Sequence, residues 1–365
     1  MQIIDSPTDS HHMMLRISKP LLLASIIFNF DSVYAAWLRK SKLVCILLIF
    51  GCSQFSIFNS ATAQDSAYVR RVIRDLSSAE MFGRGMQNRG DSIAADYVRN
   101  ELRNNGVKPL PGVSVGARGI GVKDEYFQYF RFPNTRTTPP IVKAGYRSQN
   151  VCGYIPGETD SMIVFTAHYE HLGMSGDTIF YGAHDNASGT AAVLDLARIV
   201  GSGQWVVDST RGQVLPTTNY PLPTKYTYVF LFFGGEESGL IGSHYFADNP
   251  LINLNKVKLL VNIDLFCGGD EGLMVVNANA EETKPYVDLL TQINDEGHYA
   301  AKIGRRDNAA NSDHYFFTRE CPSVFIYTLG GPYGGYHSPE DTCDGCGLGN
   351  YMNFMTLLKT FLEHL

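Results

Sequence analysis

Residues 226–243, YTYVFLFFGGEESGLIGS, place two adjacent glutamates between an apolar run and a helix-like segment. The run from Tyr226 to Phe233 is rich in aromatic and branched side chains and predicts a buried strand. Two glycines end the run, and Glu236 and Glu237 follow directly. Charges at the end of a buried strand must be paired or bound to a cation, so this acidic pair is the first candidate for function.

The same order of strand and helix recurs along the chain. Three further apolar runs, each followed by a segment with helical spacing, continue the pattern: 161–167 before 188–200, 258–266 before 284–295, and 322–329 before 352–365. Continuous apolar strands that alternate with amphipathic helices predict an α/β fold. We expect three layers, with a mostly parallel, twisted central sheet flanked by helices.

The composition is that of a globular protein. The 365 residues are 44% apolar and 18% charged, with a formal net charge of -6, so the chain can bury a sizeable core. No cluster of Lys or Arg follows residue 64. A mildly acidic chain without a basic stripe is not expected to bind nucleic acid.

The N-terminal region has the features of an export signal. Residues 38–64, LRKSKLVCILLIFGCSQFSIFNSATAQ, begin with basic residues, continue with a short apolar stretch and end in a small-residue motif. This pattern predicts a secretory signal peptide cut after Ala63, so that 1–63 are leader and 64–365 form a single domain in the periplasm or outside the cell. The apolar stretch is short for a membrane span, and no stable span is expected after cleavage. An N-terminal anchor helix and lipid attachment at Cys52 are the alternatives.

Cysteine spacing gives a further expectation. An odd number of cysteines follows the leader, so at least one thiol is unpaired or pairs between chains; they are Cys152, Cys267, Cys321, Cys343 and Cys346. Cys343 and Cys346 form a lone Cys-x-x-Cys without a second pair at zinc-finger spacing, which argues against a structural zinc. We expect a local disulfide between them in an oxidising compartment.

A Pro/Thr-rich connection, 201–224, precedes the strand that carries the glutamate pair. It is either a flap over the substrate or a hairpin that braces the far side of the sheet. Because it enters the amino end of its strand, we favour the brace.

Histidines and carboxylates accompany several predicted strands. HYEH (168–171) and GGEE (234–237) follow two of them, Asp264 lies near the end of a third, and YHSPEDT (336–342) comes after the last. GAHDNASG (182–189) leads into a helix. Because the carboxyl ends of parallel strands share one edge of a sheet, we expect these groups to meet there.

The charges of these motifs indicate metal. The motifs hold no Lys or Arg to offset their carboxylates. Histidine nitrogen and carboxylate oxygen, without thiolate, suit zinc at a catalytic site. Two zinc ions would balance three carboxylates and a bridging hydroxide, and would leave one glutamate for proton transfer.

Taken in order, the motifs TAHYEHLG, GAHDNASGTAA, GGEESGLIGS, NIDLF and YHSPEDT resemble the co-catalytic di-zinc aminopeptidases of peptidase family M28. The resemblance extends over 66–365 and includes LSSAEMFGRG, NVCGYIPG and the SDHYFF of 312–317. Many relatives carry a protease-associated insert. We expect none here, because only a short stretch separates YFRF from NVCGYIPG.

The resemblance implies a role for each site residue. His168 and Asp264 would hold one zinc ion, Glu237 and His337 the other, and Asp185 would bridge both.

Two further roles follow from it. Glu236 would be the general base that acts on the bridging water. Glu170 stands where relatives usually carry an aspartate that orients the first histidine through its other ring nitrogen. His171 competes with His168 as a ligand, and the position directly after the strand favours His168.

The implied activity is that of a secreted or periplasmic metallo-exopeptidase, a hydrolase that releases N-terminal residues from peptides with a free N-terminus. No arginine cluster lies near the motifs to bind a C-terminal carboxylate, which favours an aminopeptidase over a carboxypeptidase. Two alternatives share the scaffold: a glutaminyl cyclase-like acyltransferase with one zinc, and a non-catalytic receptor-like domain. Zinc content distinguishes the three.

Overall fold

The computed structural model describes residues 66–111, 125–133, 145–201, 207–208, 213–214, 224–331 and 335–365. The predicted signal peptide, its cleavage site and Cys52 lie outside these ranges. So does most of the 201–224 connection, of which a short antiparallel ladder between Val207 and Val214 is described. No helix in the described ranges has the length and apolarity needed to cross a membrane.

Short and long strands alternate with helices, as the hydrophobic pattern predicts. The strands in the described ranges are β1 (Lys108–Pro109), β2 (Phe127–Arg131), β3 (Arg147–Ile155), β4 (Met162–His168), β5 (Gly173–Ser175), β6 (Thr178–Phe180), β7 (Val207–Asp208), β8 (Gln213–Val214), β9 (Thr227–Phe233), β10 (Val257–Ile263), β11 (Gly272–Val276), β12 (Ile303–Arg306) and β13 (Ser323–Leu329). The helices are α1 (66–76), α2 (Gly90–Asn104), α3 (Gly189–Gly201), α4 (Ile241–Asp248), α5 (Lys284–Gly297) and α6 (Tyr351–Glu363).

Local sequence explains where helices begin and end. After α2 the chain turns at Gly106, whose φ of 72° is in the left-handed region that glycine adopts readily. Pro285 lies in the first turn of α5, where no intrahelical partner is lost.

The main sheet has the order β1-β3-β9-β4-β10-β13-β11-β12, with β2 paired to β3. Its four central strands, β9, β4, β10 and β13, are parallel. The predicted mostly parallel sheet is thus confirmed in its centre. On either side, β3 runs antiparallel to β9, and β11 runs antiparallel to β13. Antiparallel neighbours do not require a helical crossover, and neither β3 nor β11 was among the strands that the apolar runs predict.

Both faces of the sheet are buried, which explains the continuous apolar runs. Ile163 and Phe165 of β4 join a core with the buried residues of α1, α2, α3, α5 and α6. Met162 and Val164, which alternate with them, join a second core with Phe246 of α4. The three-layer arrangement is confirmed, with most helices on one face.

The cysteine prediction is wrong in its pairing. Cys346 is bonded to Cys267, with 5.2 Å between the two Cα atoms, and Cys343 is a free thiol. The two loops are joined next to the disulfide, where Gly268 N–H donates to the Gly347 carbonyl at 2.7 Å. The partners are 79 residues apart, a relationship that local spacing does not reveal.

Candidate metal centre

Sheet register brings the predicted ligands to one edge. His168, the last residue of β4, lies opposite Phe233 at the end of β9. Thr166 lies opposite Asn262 of β10, so Asp264, two residues further, comes level with His168. The glutamate pair follows the end of β9 after one Gly-Gly turn.

The first cluster consists of His168, Asp185 and Asp264, all buried. His168 Nε2 lies 3.3 Å from Asp185 Oδ1 and 3.3 Å from Asp264 Oδ1. The other ring nitrogen, Nδ1, lies 3.1 Å from the main-chain oxygen of Glu170. Because a carbonyl only accepts, Nδ1 carries a proton, and Nε2 is the nitrogen that faces the carboxylates.

The second cluster surrounds Glu237 and shares Asp185 with the first. His337 Nε2 lies 3.1 Å from Asp185 Oδ2 and 3.0 Å from Glu237 Oε2. On the other side, His171 Nδ1 lies 2.6 Å from Glu237 Oε1. Asp185 therefore turns one carboxylate oxygen to each cluster, which is the position expected of a bridging ligand.

The surroundings shift the pKa values of the two adjacent glutamates in opposite directions. Burial raises the pKa of Glu236 well above its ordinary value, and nearby Asp313 adds to this effect. Burial also acts on Glu237, but hydrogen bonds from His171 and His337 lower its pKa overall. A pair of carboxylates whose pKa values are pushed apart is suited to two different tasks, one as a permanent anion and one as a proton acceptor and donor.

The turn that carries Asp185 is held from two sides. The Asp341 carboxylate accepts hydrogen bonds from the main-chain N–H groups of His184 at 2.7 Å and Asp185 at 3.0 Å. Arg84, fully buried, donates to the carbonyls of Gly182 at 2.7 Å and Asp185 at 3.2 Å. Burial lowers the pKa of Arg84 to about 10, so it remains charged at neutral pH.

A chain of buried hydrogen bonds fixes Asp264. The Thr166 hydroxyl donates to Asn262 Oδ1 at 2.7 Å, and Asn262 Nδ2 donates to Ser312 Oγ at 2.7 Å. The Ser312 hydroxyl then donates to Asp264 Oδ2 at 2.8 Å. Asp264 Oδ1 is left to face His168, as an oriented metal ligand requires.

Glu170 contacts residues of both clusters. The His168 ring is held by the main-chain oxygen of Glu170, whereas the nearer carboxylate oxygen, Oε2, is 3.9 Å from Nδ1. The other oxygen, Oε1, accepts from the Glu237 main-chain N–H at 3.1 Å. The additional methylene of glutamate, compared with aspartate, lets the carboxylate reach past the ring to the second cluster.

Sequence reasoning missed several supporting residues. Arg84, Ser312 and Asp341 belong to motifs that carry the family resemblance, but their spacing does not show what they contact. His171 is the exception, because it was visible as a rival to His168. The structure places it with Glu237 in the second cluster.

A cleft of about 250 Å³ opens beside the clusters. Asp185, Glu236, Asp264, Arg306 and Tyr336 are among the residues that line it. The sequence holds no arginine cluster near the motifs, but the fold brings a single arginine to the cleft. Arg306 comes from β12, a strand outside the motifs, and only the folded sheet brings it to the cleft.

The residues fit a zinc site by their chemistry. The donor atoms are imidazole nitrogens and carboxylate oxygens, and the groups His168–Asp185–Asp264 and His171–Asp185–Glu237 each have donor atoms within 4.8 Å of one another. Buried polar atoms nearby have no hydrogen-bond partner: Glu170 Oε2, His171 Nε2 and both carboxylate oxygens of Asp313. So many buried acids indicate a bound cation.

Known proteins share this fold. The structure superposes on a leucine aminopeptidase precursor from Bacteroides thetaiotaomicron with a TM-score of 0.60 at 15% identity, covering 82% of this chain and 97% of the other. A Bacteroides thetaiotaomicron glutaminyl cyclase bound to N-acetylhistamine gives the same score, identity and coverage. At such identities the likeness concerns the fold alone.

Sequence comparison identifies the family. The aminopeptidase YwaD of Bacillus subtilis is 27% identical over 256 residues, which are 64% of this chain and 48% of that protein. The chain spans about half the length of the curated relatives it matches. The model of Peptidase family M28 matches residues 150–361, which include all seven predicted site residues. This chain therefore belongs to peptidase family M28.

Proposed function

We propose that this protein is a di-zinc aminopeptidase that hydrolyses the first peptide bond of peptides with a free N-terminus. The observation that carries the proposal is Asp185, whose two oxygens face separate histidine–carboxylate clusters. One shared carboxylate between two clusters supports two metal ions close together, rather than one.

The ligands would divide as the resemblance implies. His168 and Asp264 would hold one zinc ion, Glu237 and His337 the other, with Asp185 common to both. Bound zinc ions in such a pair polarise a substrate carbonyl and lower the pKa of a bound water.

Glu236 would move the proton. It lines the cleft and is not within 4.0 Å of a histidine in the described structure, so it is available to the reacting groups. Its raised pKa suits a group that takes a proton from the attacking water and gives it to the leaving amine. The hydroxyl of Tyr336, an exposed residue that also lines the cleft, would donate to the carbonyl oxygen as negative charge develops there.

The acidic edge of the cleft supports recognition of a free α-amine. Glu236 lines it and is not a predicted zinc ligand, so its carboxylate would attract an ammonium group at short range. A peptide whose N-terminus is acetylated would lack that charge.

Zinc analysis and a substrate panel on one preparation test the proposal. We expect near two zinc ions per chain, hydrolysis of aminoacyl-anilides, and no hydrolysis of their N-acetyl forms. The glutaminyl cyclase alternative, which shares the scaffold, predicts one zinc ion and cyclisation of N-terminal glutamine. A receptor-like domain predicts neither zinc nor turnover.

We also propose that the protein is exported to the periplasm or beyond and begins near Gln64 after cleavage. The Cys267–Cys346 disulfide supports this, because disulfides persist mainly in oxidising compartments. N-terminal sequencing of native protein checks it: a chain that begins upstream of residue 40 would contradict signal cleavage.

A further inference from the structure

Arg306 lies on the wall of the cleft and is not one of the predicted ligands. It is the last residue of β12, at the end of the sheet order, and pairs in register with Val276 of β11. Its Nη1 donates to the Tyr327 hydroxyl at 2.9 Å. Phe325 and Tyr327 line the same cleft, and their ring centroids are 5.1 Å apart.

Its neighbour Arg305 is used differently. Consecutive strand residues point to opposite faces of a sheet. The Arg305 guanidinium bonds to Asp288 at 2.8 Å and to Thr291 at 3.0 Å, both on α5. Arg305 therefore packs strand against helix, while Arg306 faces the cleft.

The guanidinium of Arg306 has no internal anion to neutralise it. Within the described ranges, no carboxylate forms an ion pair with it. The next acid along the chain, Asp307, instead accepts from Asn279 Nδ2 at 2.8 Å. The contact with Tyr327 restrains the guanidinium and uses one of its five N–H donors, so the others remain for a ligand.

Charge in the cleft defines what that ligand is. Among the described lining residues Arg306 is the basic one, and bound zinc would offset the charges of Asp185 and Asp264. A substrate carboxylate that enters the cleft would be attracted to the Arg306 guanidinium. Guanidinium matches a carboxylate with two parallel hydrogen bonds, which neither a neutral group nor an ammonium reproduces.

We propose that Arg306, restrained by Tyr327, binds a carboxylate of the substrate, so that the cleft selects peptides with an acidic group next to the cleaved bond. This inference rests on the proposed peptidase function. The carboxylate has two possible sources with the same chemistry: the side chain of an N-terminal glutamate or aspartate, and the terminal carboxylate of a dipeptide.

Four substrates distinguish the two possible sources of the carboxylate. Glutamyl-anilide carries only the side-chain carboxylate, Leu-Ala only the terminal one, and leucyl-anilide and Leu-Ala-amide neither. Arg306→Gln should lower kcat/KM about 10-fold to 100-fold for the substrate whose carboxylate it binds, as for loss of a charged hydrogen bond. The two uncharged substrates should change by less than about twofold, since they lose no charged contact.

Matched variants exclude a structural effect. Arg305→Gln removes a neighbouring arginine from the helix side of the same strand and should leave all four substrates equal to wild type. Tyr327→Phe should lower kcat/KM for the affected substrate by less than Arg306→Gln does, because the guanidinium is still present but less restrained. Equal losses on all four substrates, or no loss on either acidic one, would overturn the assignment.

A binding measurement separates this inference from the proposed function. Calorimetry with zinc-loaded protein should show that glutamate or Leu-Ala binds more tightly than glutamine or Leu-Ala-amide, respectively, and that Arg306→Gln removes the difference. If wild-type protein binds in this way but hydrolyses none of the substrates, the proposed function is wrong and Arg306 still binds carboxylate. If it hydrolyses leucyl-anilide but shows no carboxylate preference in binding or turnover, the inference fails and the function stands.

Discussion

His171 Nδ1 lies 2.6 Å from Glu237 Oε1, on the side of the carboxylate opposite His337. The His171 side chain is fully buried, and its Nε2 has no hydrogen-bond partner in the described structure. Glu237 is thus held between two imidazoles, one partly exposed and one enclosed. This arrangement makes His171 either a direct ligand or the group that orients Glu237 toward metal.

Both roles predict weaker zinc binding when the ring is removed. His171→Phe keeps an aromatic side chain and should lower zinc affinity about 10-fold to 100-fold, as loss of a supporting partner does. Competition with a chromogenic chelator measures it. His364→Phe, at the exposed end of α6, is the control and should bind zinc as wild type does. If His171→Phe binds zinc as tightly as wild type, His171 neither binds the metal nor orients Glu237, and its role is packing.

The adjacent glutamates should give different phenotypes. Glu236→Gln should keep zinc and fold normally but lose about 10²-fold to 10⁴-fold in turnover, as expected for a general base. Glu237→Gln should lose affinity for zinc instead. Zinc content and kcat are measured for both variants. If Glu236→Gln loses zinc and Glu237→Gln keeps it but loses turnover, the two assigned roles are reversed.

Asp185→Asn tests the shared carboxylate. The amide is neutral and offers one oxygen, so we expect zinc to be lost from both clusters together and turnover to be abolished. A calorimetric titration of the variant with zinc should show neither of the two binding events. A variant that retains two zinc ions and most of its activity would rule out the bridge.

Arg84 should stabilise the fold as well as the site. It donates to five main-chain carbonyls: Leu76, Tyr169, Tyr181, Gly182 and Asp185. Arg84→Met would remove all five hydrogen bonds and should lower the free energy of unfolding by about 3 kcal/mol or more. Denaturant unfolding of the metal-free protein measures this, with Arg74→Met on the exposed side of α1 as the control. Equal stability of the two variants would contradict the role.

The disulfide gives a prediction with an internal control. Cys346→Ser removes the link between the loop after Asp264 and the segment that follows His337, and should lower the free energy of unfolding by about 2–4 kcal/mol. Cys343→Ser, three residues away, should leave stability unchanged and the disulfide intact. Thiol titration and denaturant unfolding of both variants check the pairing, and the reverse result would restore the Cys343–Cys346 bond.

Periodicity and motif order predicted much of the fold. The four central strands, the helices that follow them and the edge where their polar residues gather are readable because a strand buried on both faces must be apolar throughout. Strands β3, β11 and β12 escaped prediction because their partners, not their own patterns, decide whether they pair.

The site, like the fold, could be predicted from the sequence only in part. The sequence by itself determined which residues are candidates: histidines and acids at strand ends, without nearby basic residues, in an order that resembles one family. Tertiary structure decided their contacts. It placed His171 with Glu237, brought one Glu170 carboxylate oxygen to the Glu237 main chain, joined Cys267 to Cys346 and brought Arg306 to the cleft. Each of these depends on distances between segments far apart in the chain, which sheet register and packing set and which local spacing does not encode.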